Sequence, residues 1–572
     1  MTLNKHWKYP DGDLVTTNLK GLVRTNPQLR LLEQEKVVYR ESPKDKVAVI
    51  SGGGAGHEPL HAGYVGSNLL NAAVSGSIFA SPSTRQIMAA ITAVASKQAG
   101  VVLVVKNYTG DVLHFGLVCE RAKAAGYKVD TVIVADDVAV GRDQNAMVGR
   151  RGLAGTALIH KVVGGAASQG YDVDKVAEIG NYVNQRLVTL GASLDRTSVP
   201  GRSADDQVEF CKDDEAELGL GIHNEPGTKI PIPEIDSLIK DMYTKLTSPD
   251  DDQRHYVNFD LANDDYVLLV NNIGGTSTLE MNAITEYAVE LSPFKKPPTR
   301  VYLADFVTSL NSPGFSITIL KLDDRKQEIL GFLDLETDAA GWRPKPASGW
   351  NSTNQIISEQ VEEQPLPKSD LRIDATKFRK HLDAALKSVI AAEPKVTHYD
   401  TVVGDGDCGE TLKSGAEAVG AVKDYGDDPV NILVHITERV EDSMGGTSGG
   451  LYSIYLTALS KSLKGTSHQD VANAMKEALY DGLFKYTRAR EGGRTLVDTL
   501  QPFVDTFVKT GDIKQAVEAA EKGCEATKTM TAKFGRASYV DSSEFKAEGG
   551  IPDPGAVGLL ALIKGFVDAQ TN

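Results

Sequence analysis

Residues 46–59 have the sequence KVAVISGGGAGHEP, in which a short apolar run ends in glycines, a histidine and a glutamate. Runs of four to eight apolar residues, rich in β-branched side chains and closed by glycine, asparagine or aspartate, are typical of buried strands. Residues 100–111, GVVLVVKNYTGD, have the same form. Each run predicts a strand with polar groups at its carboxyl end, where ligands bind in open α/β sheets.

More strands of this kind are predicted along the first half of the chain. They are DTVIVADD (130–137), DYVLLVNNIGG (265–275), RVYLADF (300–306) and SITILKL (316–322). Helical stretches from Arg85 and from Leu117 separate the first ones, and this alternation predicts βαβ units and a largely parallel sheet. An acidic, proline-bearing segment, 195–233, interrupts the alternation. We therefore place a boundary between two α/β subdomains near residue 190.

The character of the sequence changes after residue 343. Up to residue 370 it is rich in Pro, Ser, Asn, Gln and Glu with no sustained period, as interdomain linkers are. Beyond it, apolar residues recur every three or four positions, which predicts helices joined by glycine-rich turns. The predicted organisation is an α/β domain (1–345, subdomains about 1–190 and 191–345), a linker (346–369) and an all-α domain (370–572).

Composition excludes several classes of protein. The 572 residues suggest three or four domains or subdomains, and 61 basic against 77 acidic side chains give a formal charge of −16. No basic cluster offers a footprint for nucleic acid. The four cysteines lie far apart, which predicts neither a zinc site nor a disulfide framework. Without a signal-peptide core or an apolar run of about 18 residues, we expect a cytoplasmic protein with no membrane partner.

An acidic loop in the all-α half predicts a divalent-metal site. Residues 400–409, DTVVGDGDCG, place Asp400, Asp405 and Asp407 within eight positions, with a glycine that permits a sharp turn. Mg²⁺ prefers a few carboxylates together with substrate phosphates. The alternative is an acidic turn whose aspartates cap a helix. The spacing does not match an EF-hand loop.

Residues 444–450, MGGTSGG, suit phosphate binding. They offer small residues and two hydroxyls immediately before an apolar helical stretch, and the amino ends of helices bind anions. A plain turn between helices is the alternative. The segment also fits the GxSxG pattern of hydrolases, but it follows a charged amphipathic stretch instead of a strand, so its context is wrong for a nucleophile elbow. The sequence has no GxxxxGK[ST] loop, and no GxGxxG follows a strand.

Three polar clusters in the α/β half contain candidate ligand-binding residues. His57 and Asp111 follow the first two quoted strands, so we expect them to share one pocket. The third cluster, GLGIHNEPG at 219–227, places His223 among glycines that let a ligand approach closely. The alternative for each histidine is a hydrogen-bonded core or turn residue.

Together these motifs resemble the single-chain ATP-dependent dihydroxyacetone kinases, the triokinase and FMN cyclase family, over nearly the whole chain. The motifs in chain order are GGGAGHEP, KNYTGD, GLGIHNEPG, DTVVGDGDCG, MGGTSGG, GGRTL from Gly492, GRASY from Gly535 and DPGA from Asp553. The resemblance implies a substrate domain of two α/β subdomains and an antiparallel helical barrel that holds ATP and two Mg²⁺ ions. It also implies a homodimer in which each nucleotide domain faces the partner's substrate domain.

The resemblance implies roles for individual residues. His223 would attack the ketone carbon to form a covalent hemiaminal, and Asp111 would act as general base on the accepting hydroxyl with help from His57. The triose would be bound by Gly54, Ala55, Gly56, His57, Lys106 and Asp111. The two Mg²⁺ ions would be held by Asp400, Asp405 and Asp407. ATP would be bound by Cys408, Gly409, Glu410, Thr411, Thr447, Ser448, Arg494, Thr495, Asp553, Pro554 and Gly555.

Three positions depart from the family pattern. Cys408 stands where histidine is frequent, Asn224 where glycine is usual, and His114 where asparagine is often found.

Two other activities occur among relatives. Some family members also cyclise FAD, and the sequence does not decide whether this chain does. In a phosphoryl-carrier branch the two domains are separate polypeptides with ADP as a fixed cofactor, so fusion in one chain favours exchangeable ATP.

Overall fold

The computed structural model describes residues 5–10, 12–143, 149–201, 211–344, 366–532 and 550–569. The chain forms two compact units, Met1–Ile357 and Ser358–Asn572. Most of the predicted linker (346–369) lies outside the described residues, so its boundaries stay predictions. Among the residues described, no helix is both long enough and apolar enough to span a bilayer.

The first unit contains two six-stranded sheets. The strands of the first sheet are β1 (Leu29–Leu32), β2 (Val37–Arg40), β3 (Ala48–Ala55), β4 (Ala72–Ile78), β5 (Val101–Lys106) and β6 (Val129–Val134). Those of the second are β7 (Leu187–Ser193), β8 (Glu215–Leu218), β9 (Thr228–Pro231), β10 (Asp265–Asn272), β11 (Arg300–Ala304) and β12 (Gly314–Leu322). All six quoted apolar runs are strands, which confirms the α/β prediction for this half.

Eight helices accompany these sheets in the described part of the unit. They are α1 (Leu14–Thr25), α2 (Thr84–Val94), α3 (Thr109–Ala124), α4 (Gly155–Ser168), α5 (Val173–Asn184), α6 (Ile235–Thr247), α7 (Thr278–Glu290) and α8 (Lys326–Leu333). The helices predicted from Arg85 and from Leu117 are α2 and α3, although α3 begins eight residues earlier than the predicted stretch.

The two sheets differ in strand direction. In the first, ordered β1-β2-β4-β3-β5-β6, the four strands β4, β3, β5 and β6 are parallel. In the second, ordered β11-β10-β12-β7-β8-β9, only β10 and β11 are parallel. The expectation of a largely parallel sheet is therefore wrong for the second sheet. A parallel pair needs a long crossover such as α7, whereas β8 and β9 are joined by a hairpin loop.

A shared core lies between the sheets. One cluster of buried side chains combines Val102 and Val104 of the first sheet, Val267 and Leu269 of the second, and the apolar residues of α4. The opposite face of the first sheet packs against α2 and α3, and that of the second against α6 and α7. Because both faces of each sheet are covered, the loops at the strand ends are the places where ligand sites are expected. The predicted boundary near residue 190 falls within β7.

The second unit is all-α, as predicted. Its helices are α9 (Ala375–Val403), α10 (Cys408–Ala421), α11 (Pro429–Ser443), α12 (Gly446–Ser462), α13 (His468–Glu477), α14 (Val497–Thr510), α15 (Ile513–Ala526) and α16 (Pro554–Asp568). Each helix contacts the next along the chain, and α16 packs against α9, so the eight helices close into a ring. Short connections such as residues 404–407 make neighbouring helices antiparallel.

Candidate functional site

The predicted triose-binding residues meet at the carboxyl edge of the first sheet. His57 follows β3, Lys106 is the last residue of the adjacent parallel strand β5, and Asp111 lies in the first turn of α3. His223 comes from the hairpin loop between β8 and β9 of the second sheet. Loops of both subdomains therefore build one site.

Two histidines form the centre of this site. The Nε2 atoms of His57 and His223 lie 3.0 Å apart. The Nδ1 atom of His57 is 2.9 Å from the carbonyl oxygen of Thr308, and Nδ1 of His223 is 2.9 Å from Oε1 of Glu225. Both histidines are among the predicted site residues, whereas Glu225, two residues after His223 in the same motif, is not.

The hydrogen-bond partners define which nitrogens of the two histidines carry hydrogen. The carbonyl of Thr308 and the carboxylate of Glu225 only accept, so both Nδ1 atoms carry hydrogen. A hydrogen bond between the two Nε2 atoms then needs one further proton. Burial, followed by the charges of Lys106 and His223, holds the pKa of His57 well below its usual value. The two Nε2 atoms thus share one extra proton.

Glu225 remains ionised in this arrangement. Burial alone would raise its pKa, but the hydrogen bonds from His223 and the charge of that ring lower the pKa of Glu225 to about 2. The ring of Tyr108 meets the His223 ring edge-on with centroids 4.6 Å apart, and Phe79 stacks on His57 at 5.2 Å. These contacts fix both imidazoles, while the side chain of His223 keeps 20% exposure through which a ligand can reach it.

Lys106 and Asp111 add opposite charges to the buried site. Lys106 is 1% exposed, and its Nζ has no hydrogen-bond partner among the described residues. Burial lowers the pKa of Lys106 to about 8 against the opposing effect of Asp111. Asp111 is 4% exposed and accepts a 2.5 Å hydrogen bond from Ser81 Oγ. Because buried polar groups are nearly always paired, an unpaired ammonium indicates a place for a ligand.

Steric contacts explain why two positions of the first motif are glycine. A Cβ on Gly54 would lie 2.6 Å from the backbone nitrogen of Ala80. Gly56 has φ +99° and would contact the Phe79 ring at 2.7 Å. Ala55 is buried as the last residue of β3. The structure thus explains this tight turn by packing, and triose contacts of the three residues stay predictions.

The three predicted metal ligands come together in the second unit. One carboxylate oxygen each from Asp400, Asp405 and Asp407 lies within 4.8 Å of the others. Asp400 is buried in the last turn of α9 and accepts a 3.0 Å hydrogen bond from the backbone N–H of Cys408. Gly406, with φ +82°, allows the turn that returns Asp407 to Asp400. Three hard oxygen donors at this spacing fit Mg²⁺.

The motifs predicted to bind phosphate lie at one end of the helical ring. The helices α10, α12, α14 and α16 each begin at one of these motifs, and alternate helices of an antiparallel ring start at the same end. Burial raises the pKa of Asp553 to about 7, with Arg494 opposing the shift and Asp400 adding to it. Four helix amino ends favour an anionic ligand at this end of the ring.

The predicted ATP-binding residues differ in accessibility. Glu410 and Thr447 are exposed; the partly buried ones are Cys408, Thr411, Ser448, Thr495, Asp553 and Gly555; the buried ones are Gly409, Arg494 and Pro554. The guanidinium of Arg494 donates to the carbonyl oxygens of Ile551 (2.8 Å) and Thr527 (3.2 Å). Arg494 thus joins chain segments beneath the site. The GRASY motif (535–539) lies outside the described residues.

The three family departures are accommodated locally. Burial raises the pKa of the Cys408 thiol to about 12. Asn224 has φ +64°, in the left-handed region that glycine favours and asparagine tolerates. The Nδ1–H of His114 donates to the carbonyl of Pro82 at 2.7 Å.

Comparison with known proteins agrees with this architecture. Residues 20–341 match the Dak1 domain and residues 402–568 match the DAK2 domain. The chain is 48% identical to a dihydroxyacetone kinase of Komagataella pastoris over 99% of this chain and 98% of that protein. It is 36% identical to the human triokinase/FMN cyclase over 96% of each. A crystal structure of the C. freundii dihydroxyacetone kinase with AMP-PNP and Mg²⁺ superposes with a TM-score of 0.68 at 30% identity, covering 99% of this chain and 100% of that one.

The matches of the α/β unit to Dak1 and of the helical ring to DAK2 place this protein in the two-domain class that joins these two domains. Within that class the chain belongs to the dihydroxyacetone kinase family, because it matches full-length members over nearly its whole length.

Proposed function

We propose that this protein transfers the γ-phosphoryl group of ATP to dihydroxyacetone and to D-glyceraldehyde. The observation that carries the proposal is the His57–His223 pair, with both Nδ1 hydrogens fixed by acceptors and an unpartnered Lys106 beside it. Relatives named dihydroxyacetone kinase and triokinase/FMN cyclase support the substrate class.

In the proposed first step His223 binds the carbonyl group covalently. The proton between the two rings moves to His57 Nε2, and the freed lone pair of His223 Nε2 adds to the carbonyl carbon. The C=O π electrons move to oxygen, and that oxygen takes the proton from His57. The product is a hemiaminal with one new N–C and one new O–H bond. The His223 ring keeps a positive charge, which the Glu225 carboxylate stabilises at 2.9 Å. Glycerol has no carbonyl group, so it cannot form this bond.

Asp111 then accepts the proton of the hydroxyl group that receives the phosphoryl group. Ser81 holds one of its oxygens, which leaves the other for the substrate. A carboxylate is a weak base for an alcohol, so the step depends on positioning and on a loose phosphoryl transfer. We propose that Asp400, Asp405 and Asp407 hold two Mg²⁺ ions, which supply charge neutralisation for the ATP phosphates when bound.

Stoichiometric ATP consumption tests the proposal. The assay compares dihydroxyacetone, D-glyceraldehyde, glycerol and FAD, with Mg²⁺ and then with Mn²⁺. We expect one ADP per triose, none with glycerol, and dependence on the metal. Failure to phosphorylate any triose contradicts the proposal. In the FAD arm, AMP release without ATP use is expected if this chain shares the cyclase activity in the names of its mammalian relatives.

We further propose a cytoplasmic homodimer in which the nucleotide domain of one subunit serves the triose domain of the other. This proposal rests on the family resemblance, and its test by complementation is given in the Discussion.

A further inference from the structure

A third histidine lies close to the triose site and has no role in the chemistry described above. His61 is 3% exposed, and its Nδ1 is 2.8 Å from Ser51 Oγ and 3.1 Å from Nε2 of His160. Its Nε2 has no hydrogen-bond partner among the described residues. A buried polar atom without a partner is rare enough in a folded protein to need an explanation.

The neighbours of His61 define which of its nitrogens carries hydrogen. The hydroxyl of Ser51 donates to the carbonyl of Val104 at 2.6 Å, so only its lone pairs face His61. The Nδ1 of His61 therefore carries the hydrogen and Nε2 carries a lone pair. Burial, together with the charges of His160, Lys106 and His57, keeps the pKa of His61 well below its usual value, so the ring is neutral. Nε2 is thus a buried acceptor that lacks a donor.

That acceptor faces the triose site. A Cβ built on Gly53 would lie 3.1 Å from His61 Nε2 and 3.5 Å from Asp111 Oδ2, and these two side chains provide its nearest contacts. The two acceptors therefore converge beside Gly53, where the lack of a side chain leaves a small space in which a Cβ would be tight against His61 Nε2. One hydroxyl hydrogen can satisfy only one of them, whereas a ligand with two hydroxyl groups can donate to both.

We propose that His61 Nε2 accepts a hydrogen bond from a second hydroxyl group of the triose, next to the hydroxyl that Asp111 engages. The inference rests on the proposed function and deepens it, because it makes His61 a specificity-determining residue for dihydroxy carbonyl compounds over monohydroxy ketones. Dihydroxyacetone and D-glyceraldehyde each carry two hydroxyl groups besides the carbonyl. Hydroxyacetone carries one.

The test measures kcat/KM of variants of the full chain with two substrates, dihydroxyacetone and hydroxyacetone, and compares the losses in a cycle of variants and substrates. His61→Asn keeps an amide N–H near the Nδ1 position for Ser51 and removes Nε2. His160→Asn is the matched control, because it removes the partner of His61 Nδ1 and leaves Nε2 in place. We expect His61→Asn to lower kcat/KM for dihydroxyacetone about tenfold or more and to leave that for hydroxyacetone within about threefold. His160→Asn should affect both substrates by similar factors.

Equal losses for both substrates in His61→Asn, or no loss for either, would overturn the inference. If that variant does not fold, His61→Gln, whose amide reaches the Nε2 position, and Gly53→Ala, which fills the space, enter the same cycle. Selectivity for dihydroxyacetone over hydroxyacetone should survive in His61→Gln and fall in Gly53→Ala. The reverse result would overturn the inference. If the wild-type chain phosphorylates no triose, both the proposed function and this inference are wrong. If the wild type is active but His61→Asn changes kcat/KM equally for both substrates, only this inference is wrong.

Discussion

The two candidate sites are built in opposite ways. In the α/β unit, His57, Lys106 and Asp111 are almost fully buried, and their contacts come from loops of two sheets. In the helical unit, Asp405 and Asp407 are exposed on a turn, and the surrounding motifs are the amino ends of four helices. The properties of the first site depend on the burial of its charged groups and on specific hydrogen bonds. Those of the second depend on exposed carboxylates and on the amino ends of helices.

This difference matches what each site is proposed to bind. A small neutral carbonyl compound offers little binding energy, so positioning and a covalent bond must hold it. A nucleotide with metal ions carries many charges, and exposed carboxylates and backbone amides can bind it without prior burial. Substitutions should therefore separate activity from stability in the helical unit and couple them in the α/β unit.

The largest effect is expected in the carboxylate cluster. Asp405→Asn or Asp407→Asn removes a metal-binding charge without changing side-chain volume, and triose kinase turnover should fall by about 100-fold or more. Because both side chains are exposed, the free energy of unfolding should stay within about 0.5 kcal/mol of wild type. Asp442→Asn, another exposed aspartate of this unit, is the control and should keep full activity. Retention of more than about a tenth of turnover contradicts the metal assignment.

Complementation tests whether the two sites act across a dimer. One chain carries His223→Ala with Asp111→Asn, the other carries Asp405→Asn, and each alone should be inactive. In a crossed homodimer, mixing under conditions that exchange subunits pairs an intact nucleotide domain with the partner's intact triose domain. Activity should then rise clearly above the sum of the two parents. Background activity after exchange has been verified by native mass spectrometry means that transfer occurs within one chain.

The nucleophile of the α/β site should control selectivity for carbonyl compounds. His223→Ala removes the proposed covalent bond, so KM for dihydroxyacetone should rise at least about tenfold and discrimination against glycerol should weaken. Steady-state kinetics with both substrates provide the measurement. A variant that keeps wild-type KM for dihydroxyacetone and still rejects glycerol excludes the hemiaminal.

Lys106 should show the coupling of stability and activity. Lys106→Met removes a buried charge without a partner, so the free energy of unfolding at pH 7 should increase by about 1–3 kcal/mol while kcat/KM falls. The folded pKa of about 8 lies below the ordinary value near 10.5. Wild type therefore regains stability as pH rises from about 8 towards 10, and the difference should shrink there. A destabilised variant would mean that Lys106 has a structural partner.

The smallest effect concerns Glu225. Its pKa of about 2 in the folded chain lies below the unfolded value near 4.5, so its ionised form stabilises the fold above about pH 4.5. That contribution is lost as pH falls towards 2. Glu225→Gln lacks it, so the Tm difference from wild type in the α/β unit should be largest near pH 6 and narrow towards pH 3. A difference independent of pH would argue against the ion pair with His223.

The sequence predicts the elements better than it predicts the contacts. Apolar runs identify strands because both faces of each sheet are buried. They do not indicate whether neighbouring strands are parallel, and so they do not predict the antiparallel pairs of the second sheet. His57, Asp111 and His223 are recognisable in the sequence because they lie in glycine-rich motifs. Glu225 lies in one of these motifs and His61 lies two residues after another, but their roles depend on which atoms they face across the fold. Periodicity along the chain cannot show that.

The most direct test of the account follows the carbonyl carbon of the bound triose. Dihydroxyacetone labelled with ¹³C at C2 is mixed with the enzyme, without ATP, and observed by ¹³C NMR. Wild type should convert the carbonyl resonance of bound substrate to that of a tetrahedral carbon bearing nitrogen and oxygen, and His223→Ala should not. A bound carbonyl resonance in wild type, or a tetrahedral signal of equal intensity in His223→Ala, would contradict covalent capture by His223.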